Sequence, residues 1–272
     1  MSSTIFDQSV GDILGRTLVD ADGSPLVVNP SREAIAELVS VLDEQGGDTR
    51  VRLLADERAL KDVLDDFIVA STAADLVAED ALAIRTLETQ PDNALVVTEG
   101  SVVALVAAGD AVAGLSTEEG DFVTAADDHY DEAWDGADEF ALRTPPLSVV
   151  RDSLNEDISA ETAADFDAVL TSLQTARGDG DGLDEVTISL LVAAKNDELL
   201  YDISKWGEDI GLASKATFSR TKTTLEDKGL LDTEKVPIDV GRPRLRLKLG
   251  DDRLTDADPD QLASVAQSIL AS

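Results

Sequence analysis

The chain has no cysteine and only one histidine among its 272 residues. Without thiols there can be no disulfide, no thiolate metal centre and no cysteine nucleophile. With one histidine, a zinc site would have to rest on carboxylates, so no metal site and no cofactor are expected. No apolar run approaches the roughly 20 residues that span a bilayer. The opening MSSTIFDQSVGD lacks both the basic region and the apolar core of a secretory signal. These absences read as a cytoplasmic protein with no membrane partner. Positive charge is also scarce: 22 Lys and Arg stand against 56 Asp and Glu, a net charge of −34.

Hydrophobic content of 43% is ordinary for a folded protein, and the length suits two modest domains. The acids are spread along the chain, and no block of like charge stands alone. Such spreading fits a halophile's protein, because in molar salt the Debye length falls to about 3 Å and self-repulsion is screened. Departures from this background are therefore informative. Residues 213–248 carry nine basic residues against five acidic ones, a net charge of +4, which leaves −38 for the rest.

Apolar spacing divides the chain. Residues 4–20 read as a helix, Pro25–Asn29 as a buried strand, and Ser31 as the N-cap of a helix closed by Gly46 and Gly47. Val51–Ala55 is a second strand, a helix is expected over 57–70, and Leu82–Leu87 is a third strand. Ala94–Thr98, Val102–Ala107 and Ala111–Leu115 form a meander, followed by a helix over 119–135. Residues 1–146 thus predict an α/β domain, a mixed sheet with flanking helices, serving as sensor or dimerisation module. Residues 147–183 read as a connector of two helices, 147–158 and 160–177, ending in Arg177-Gly-Asp-Gly-Asp-Gly182. That run lacks the spacing and closing glutamate of a calcium loop and reads as a linker.

Residues 184–251 have the pattern of a winged helix-turn-helix. Asp184 can cap one helix, and Asp202 a short second one with Ile203, Trp206 and Ile210 on one stripe. Gly211-Leu-Ala213 makes a tight turn, and Ser214 caps a third helix ending at Gly229. Phe218 and Leu225 anchor that third helix. Lys215, Thr217, Ser219, Arg220, Lys222 and Thr223 are the DNA-contacting candidates: arginine reads guanine in the major groove, and hydroxyls meet phosphates or bases. Leu230-Leu231 opens one wing strand. Arg244-Leu-Arg-Leu-Lys-Leu249 is the other, with its leucines inward and Arg244, Arg246 and Lys248 outward. Arg242, at the wing tip, is placed to enter a narrow minor groove. Residues 252–272 hold a C-terminal helix that packs on its own domain or pairs with a second copy. The expected partners are double-stranded DNA and a second protomer. The rival reading is a protein-interaction module that docks transcription machinery through the winged helix.

The segments ISKWGEDIGLASKATFSRTKTTLEDKGLLDT and DVGRPRLRLKL resemble archaeal winged-helix regulators. The haloarchaeal TbsP regulators, associated with the TrmB regulators of sugar metabolism, are the nearest in pattern. VRLLADERALKDVLDDFIVAS and LVVTEGSVVALVAAGD are similar to the same group. The resemblance implies a sequence-specific regulator of central carbon metabolism. Sensor domains of related regulators resemble phospholipase D, whose chemistry needs His-x-Lys followed by an aspartate. His129 is followed by Tyr130 and Asp131, so that motif is absent and no enzyme is expected. Effector sites in α/β sheets favour the carboxyl ends of strands. That rule selects Asn29, Ser31 and Arg32, then Asp56 and Arg58, with Arg85 besides, as a set suited to a sugar phosphate.

Overall fold

A computed structural model describes residues 3–7, 9–19, 21–46, 49–109, 111–178, 182–237 and 243–271, with side chains from residue 9 onward. The chain forms two units: Met1–Asp65 with Thr72–Leu142, and Asp66–Ser71 with Arg143–Ser272.

The first unit is built on seven strands: β1 (Ser3–Asp7), β2 (Leu26–Val28), β3 (Val51–Ala55), β4 (Leu82–Thr86), β5 (Ala94–Val97), β6 (Val102–Ala108) and β7 (Ala111–Thr117). They form one mixed sheet in the order β1-β7-β6-β5-β2-β3-β4. β2, β3 and β4 run parallel, and β5 pairs antiparallel with β2 and leads into the meander. All three residues of β2 are buried, as expected where a strand is covered on both faces. The helices are α1 (Val10–Val19), α2 (Arg32–Gln45), α3 (Glu57–Val63), the later part of α4 (Phe67–Ala78) and α5 (Gly120–Gly136). Ser31 caps α2 by accepting from the Ala34 amide, and Gly46 closes it at φ 72°. Gly47 lies outside the described residues.

α5 is seated on the sheet by Trp134, which packs with Leu26, Val28, Leu54, Val97 and Val102. The guanidinium of Arg85 lies 4.7 Å from the ring centroid, and that of Arg52 lies 5.7 Å away. Arg52 is held in turn by Asp131 at 2.6 Å.

Two expectations for this region are corrected. Ser3–Asp7 is an edge strand antiparallel to β7, not the start of a helix, and the helix begins only at Val10. The partner strand is more than a hundred residues away, and local periodicity cannot register it. The helix expected over 57–70 is broken between α3 and α4. Asp66 competes for the backbone there, accepting from the Ile68 amide at 3.0 Å and starting a new helix that runs on to Ala78.

The second unit contains α6 (Leu147–Asp157), α7 (Ala160–Ser172), α8 (Glu185–Lys195), α9 (Leu200–Asp209), α10 (Lys215–Asp227), β8 (Leu231–Val236), β9 (Arg244–Leu249), α11 (Asp252–Thr255) and α12 (Pro259–Leu270). α6 and α7 supply Leu147, Val150, Leu154, Phe166, Val169 and Leu170 to the same core as Leu190, Trp206 and Phe218. The pair read as a connector is thus part of this unit's packing. α7 stops at Ser172, short of the expected 177. α12 buries Leu262, Ala263 and Ala266, and it packs against α7 of its own chain. No helix among the described residues is long and apolar enough to cross a membrane.

Asp66 is 2% exposed. It accepts from the Ile68 and Ala176 amides and faces Arg177 at 3.5 Å. Asp66→Ala leaves two amides without their acceptor and is expected to destabilise the unit by about 2–4 kcal/mol. Asp66→Asn, which keeps an acceptor, loses less. Guanidinium unfolding midpoints of the two variants check the order.

Candidate nucleic-acid interface

α8, α9, α10, β8 and β9 follow one another as helix, helix, turn, helix and hairpin. Asp184 caps α8 by accepting from the Thr187 amide at 2.7 Å. α9 begins at Leu200 without a side-chain cap. Asp202, expected as that cap, lies in the helix's first turn and holds Arg244 at 3.2 Å instead. Gly211 at φ 78° makes the turn, where the Leu212 amide reaches back to the Gly207 carbonyl at 2.8 Å. Ser214 accepts from the Thr217 amide at 3.1 Å and starts α10.

Gly207 has a separate role that sequence reading missed. A Cβ built there would lie 2.4 Å from the Phe218 ring, so α9 and α10 meet closely only because this residue has no side chain. The signal was present as a glycine inside an amphipathic helix.

Phe218 and Leu225 are buried and fix the rotation of α10. Ala216, Ser219, Arg220 and Thr223 are then exposed on the opposite side. Thr223 donates its hydroxyl to the Ser219 carbonyl at 3.1 Å, which leaves its methyl and hydroxyl oxygen accessible. Thr217 is half-buried, with its hydroxyl 3.0 Å from that of Ser214. Lys222 is turned away from this face. Its side chain is 12% exposed and pairs with Glu226 at 2.6 Å, and Glu226 also accepts from Thr233 at the base of β8. Glu226 therefore ties the helix to the wing, and Lys222 is held by it within α10.

The hairpin places Arg246 opposite Glu234 and Lys248 opposite Asp232. Leu247 is fully buried, while Leu245 and Leu249 are half-buried. β9 is also joined on its other edge, where the Leu247 amide donates to the Glu198 carbonyl at 2.9 Å. Arg242 and the wing tip lie outside the described residues.

Five of the eight described cations between Lys215 and Lys248 pair with an acid. Lys215 pairs with Glu208 at 2.5 Å, Arg246 with Glu234 at 3.7 Å and Lys248 with Asp197 at 2.5 Å. Arg244 pairs with Asp202 and also stacks 4.5 Å over the Tyr201 ring. The hydrogen bond to Glu208 raises the Lys215 ammonium above its usual range, and the same bond lowers the Glu208 carboxyl. Arg220 is exposed and, among the described residues, has no ion-pair partner. Three of the acids, Asp197, Asp202 and Glu208, precede the basic segment, so a local charge count cannot see them.

The six effector candidates do not converge on one site. Asn29 adopts φ 50° and donates to the Pro91 carbonyl at 2.8 Å. Ser31 is the α2 cap, and Arg32 pairs with Asp62 at 2.5 Å on the surface. Asp56 caps α3; the Ala59 amide is the main cause of its lowered carboxyl pKa, with Gln90 and the Arg58 amide adding to it. Arg58 is exposed. Arg85 is committed to Trp134, both over the ring and at the carbonyl, 2.6 Å away.

The arrangement is that of a winged helix-turn-helix regulator carrying an α/β domain. Two family models cover almost the whole chain. The TbsP-like N-terminal model matches residues 2–145, and the TbsP-like C-terminal HTH model matches residues 146–267. The chain belongs to the family of TbsP-like transcriptional regulators. Among solved structures, TrmBL2, an archaeal chromatin protein that binds DNA, is similar at 13% identity and TM-score 0.38, over 51% of this chain and 54% of that one. The chain thus spans about half the length of TrmBL2. Nuc, a phospholipase D family member from Salmonella typhimurium, is similar at 11% identity and TM-score 0.37, over 52% of this chain and 99% of its own. NucT from Helicobacter pylori gives 12%, 0.36, 52% and 99% for the same measures. No curated protein matches the chain.

Two expected outcomes come from this geometry. Gly207→Ala forces the Phe218 ring to move and should cost about 1–3 kcal/mol, read as a lowered thermal midpoint. Glu208→Gln releases Lys215 from an exposed pair, so affinity for target DNA should rise by up to about fivefold. Fluorescence anisotropy against the wild type checks it.

Proposed function

We propose that this protein binds double-stranded DNA through α10 and the wing, and so regulates transcription of genes of central carbon metabolism. The observation that carries the reading is the exposed face of α10. Ser219, Arg220 and Thr223 project there from a helix whose rotation is locked by Phe218 and Leu225. Arg220 is long enough to reach a guanine edge, and a threonine methyl can meet thymine. Lys215, Thr217, Arg244, Arg246 and Arg242 are assigned to the phosphate backbone and the minor groove beside it. Lys222 is left out of the contact set, because its ammonium is spent on Glu226.

Binding as a homodimer to two half-sites belongs to the same proposal. So does control by a small metabolite of the sugar class, held in the α/β unit. The acidity of the chain supports a cytoplasm of high salt as its working solvent.

DNase footprinting in molar KCl tests the reading. The wild type should protect discrete sites upstream of sugar-metabolism genes. Arg220→Ala should lose about 1–3 kcal/mol of binding, roughly five- to 150-fold, and relax the preference at one base position. A wild type that protects no site in any salt ends the DNA reading and leaves the docking of a protein partner.

A further inference from the structure

The cavity at the carboxyl end of β4 has a lining that speaks against the phosphorylated ligand suggested by the scarce arginines. It measures about 410 Å³ and lies between the loop Thr86–Pro91 and the last turns of α5. Two anchors hold that loop over the strand ends. The Asn29 amide donates to the Pro91 carbonyl from a left-handed backbone, and Asp56 hydrogen-bonds with the Gln90 side chain. A non-glycine residue held at φ 50° costs free energy, and such strain concentrates where a binding site is being shaped. Asn29 and Asp56 thus act beneath the site, as its support.

The lining contains no lysine or arginine. Its charged members, Glu88 and Glu132, are both exposed at the rim. α5 also ends at this cavity, with Gly136 and Ala137 in the wall, and a helix C-terminus carries partial negative charge. The two carboxylates and the helix end, whose Trp134 carbonyl Arg85 offsets in part, make the site unfavourable to an anion. They also make it rich in acceptors: two carboxylates and the Gln90 carbonyl oxygen, whose amide hydrogens face Asp56. The deeper wall is Leu87, Ala133 and the half-buried Tyr130 ring, which offers a flat surface to C–H groups. No buried acid stands there to compensate a desolvated cation.

We infer that this cavity takes an uncharged, hydroxyl-rich small molecule, a neutral polyol or hexose, and discriminates against its phosphate esters. Glu88 and Glu132 accept from hydroxyls at the rim while one carbon face rests on Tyr130. The inference rests on the metabolite-controlled reading above and narrows its ligand.

His129 provides the test, because it is the one histidine of the chain, lines the cavity, and lies 4.9 Å from Tyr130 by ring centroids. Its imidazole signals in a ¹H–¹³C spectrum of the full chain are a single-residue reporter that needs no variant. Titration with glucose should shift them to saturation. Glucose 6-phosphate should need at least about tenfold more, and Glu132→Gln should weaken glucose by about fivefold. Ala133→Trp, which fills the cavity, should abolish the response while leaving DNA binding intact. Tighter binding of glucose 6-phosphate, tighter binding of putrescine, or no shift with glucose or glycerol overturns the inference. Footprints taken with the same probes separate this from the broader reading. A glucose shift with an unchanged footprint upholds the site and removes the effector role. A phosphate ester that binds and alters the footprint upholds the effector role and removes this ligand class.

Discussion

Helix α8 has no face turned to water, and the shape of the second unit depends on that. Every residue from Val186 to Ala194 is buried. A helix buried on every face needs neighbours on all sides. Burying one Val, Leu or Ile contributes about 1.5–3 kcal/mol relative to leaving it in water, and α8 holds five within Val186–Val192. The helix-turn-helix and β9 cover only part of it. α7 covers another part, and α12 lies on α7 in turn. The Trp206 indole joins this layer by donating to the Ser153 hydroxyl of α6 at 2.9 Å. A segment cut to the bare winged helix would expose this surface, which is why the helices before it belong to the same core.

On that frame the placement of charge becomes legible. In a chain with 56 acids most of the cations around the helix-turn-helix and the wing find a carboxylate within reach. The basic segment therefore presents a layer of ion pairs more than an open positive surface. Lys215, Arg244, Arg246 and Lys248 are each oriented by an acid, and Arg244 also by Tyr201. Exposed pairs of this kind contribute little to stability. Their consequence lies in orientation, because a side chain already fixed loses less rotamer freedom on docking.

Much of the architecture could be read from the sequence, for reasons that can be named. Six of the seven strands of the first unit and most helices follow from short-range periodicity and from caps such as Ser31, Asp184 and Ser214. What periodicity missed depends on distant partners. β1 exists because β7 offers an edge, and the break before α4 exists because Asp66 finds Ala176 and Arg177 far along the chain. The exposed face of α10 was legible from Phe218 and Leu225. The inward turn of Lys222 was not, since Glu226 and Thr233 define it jointly. The arginines chosen as effector ligands failed to gather because a scarce cation in an acidic protein is taken up by structural work, such as Arg85 and Arg52 around Trp134.

The same pairing bears on how the proposed DNA complex responds to salt. A lone cation that meets a phosphate releases a counterion from DNA, and affinity then falls with salt at a slope of about 0.9 per contact. A cation already held by a carboxylate behaves differently. Its move to a phosphate frees the carboxylate, which takes up a cation from solution and offsets the release. Three of the assigned phosphate-side residues, Lys215, Arg244 and Arg246, are in this state. The slope should therefore be shallower than the number of basic residues suggests. In the proposed complex, affinity at high salt then rests on the contacts that screening leaves nearly intact, those assigned to Arg220 and the Thr223 methyl. An interface whose charges are neutralised in advance gives up much of its non-specific attraction to DNA. What remains is weighted toward sequence.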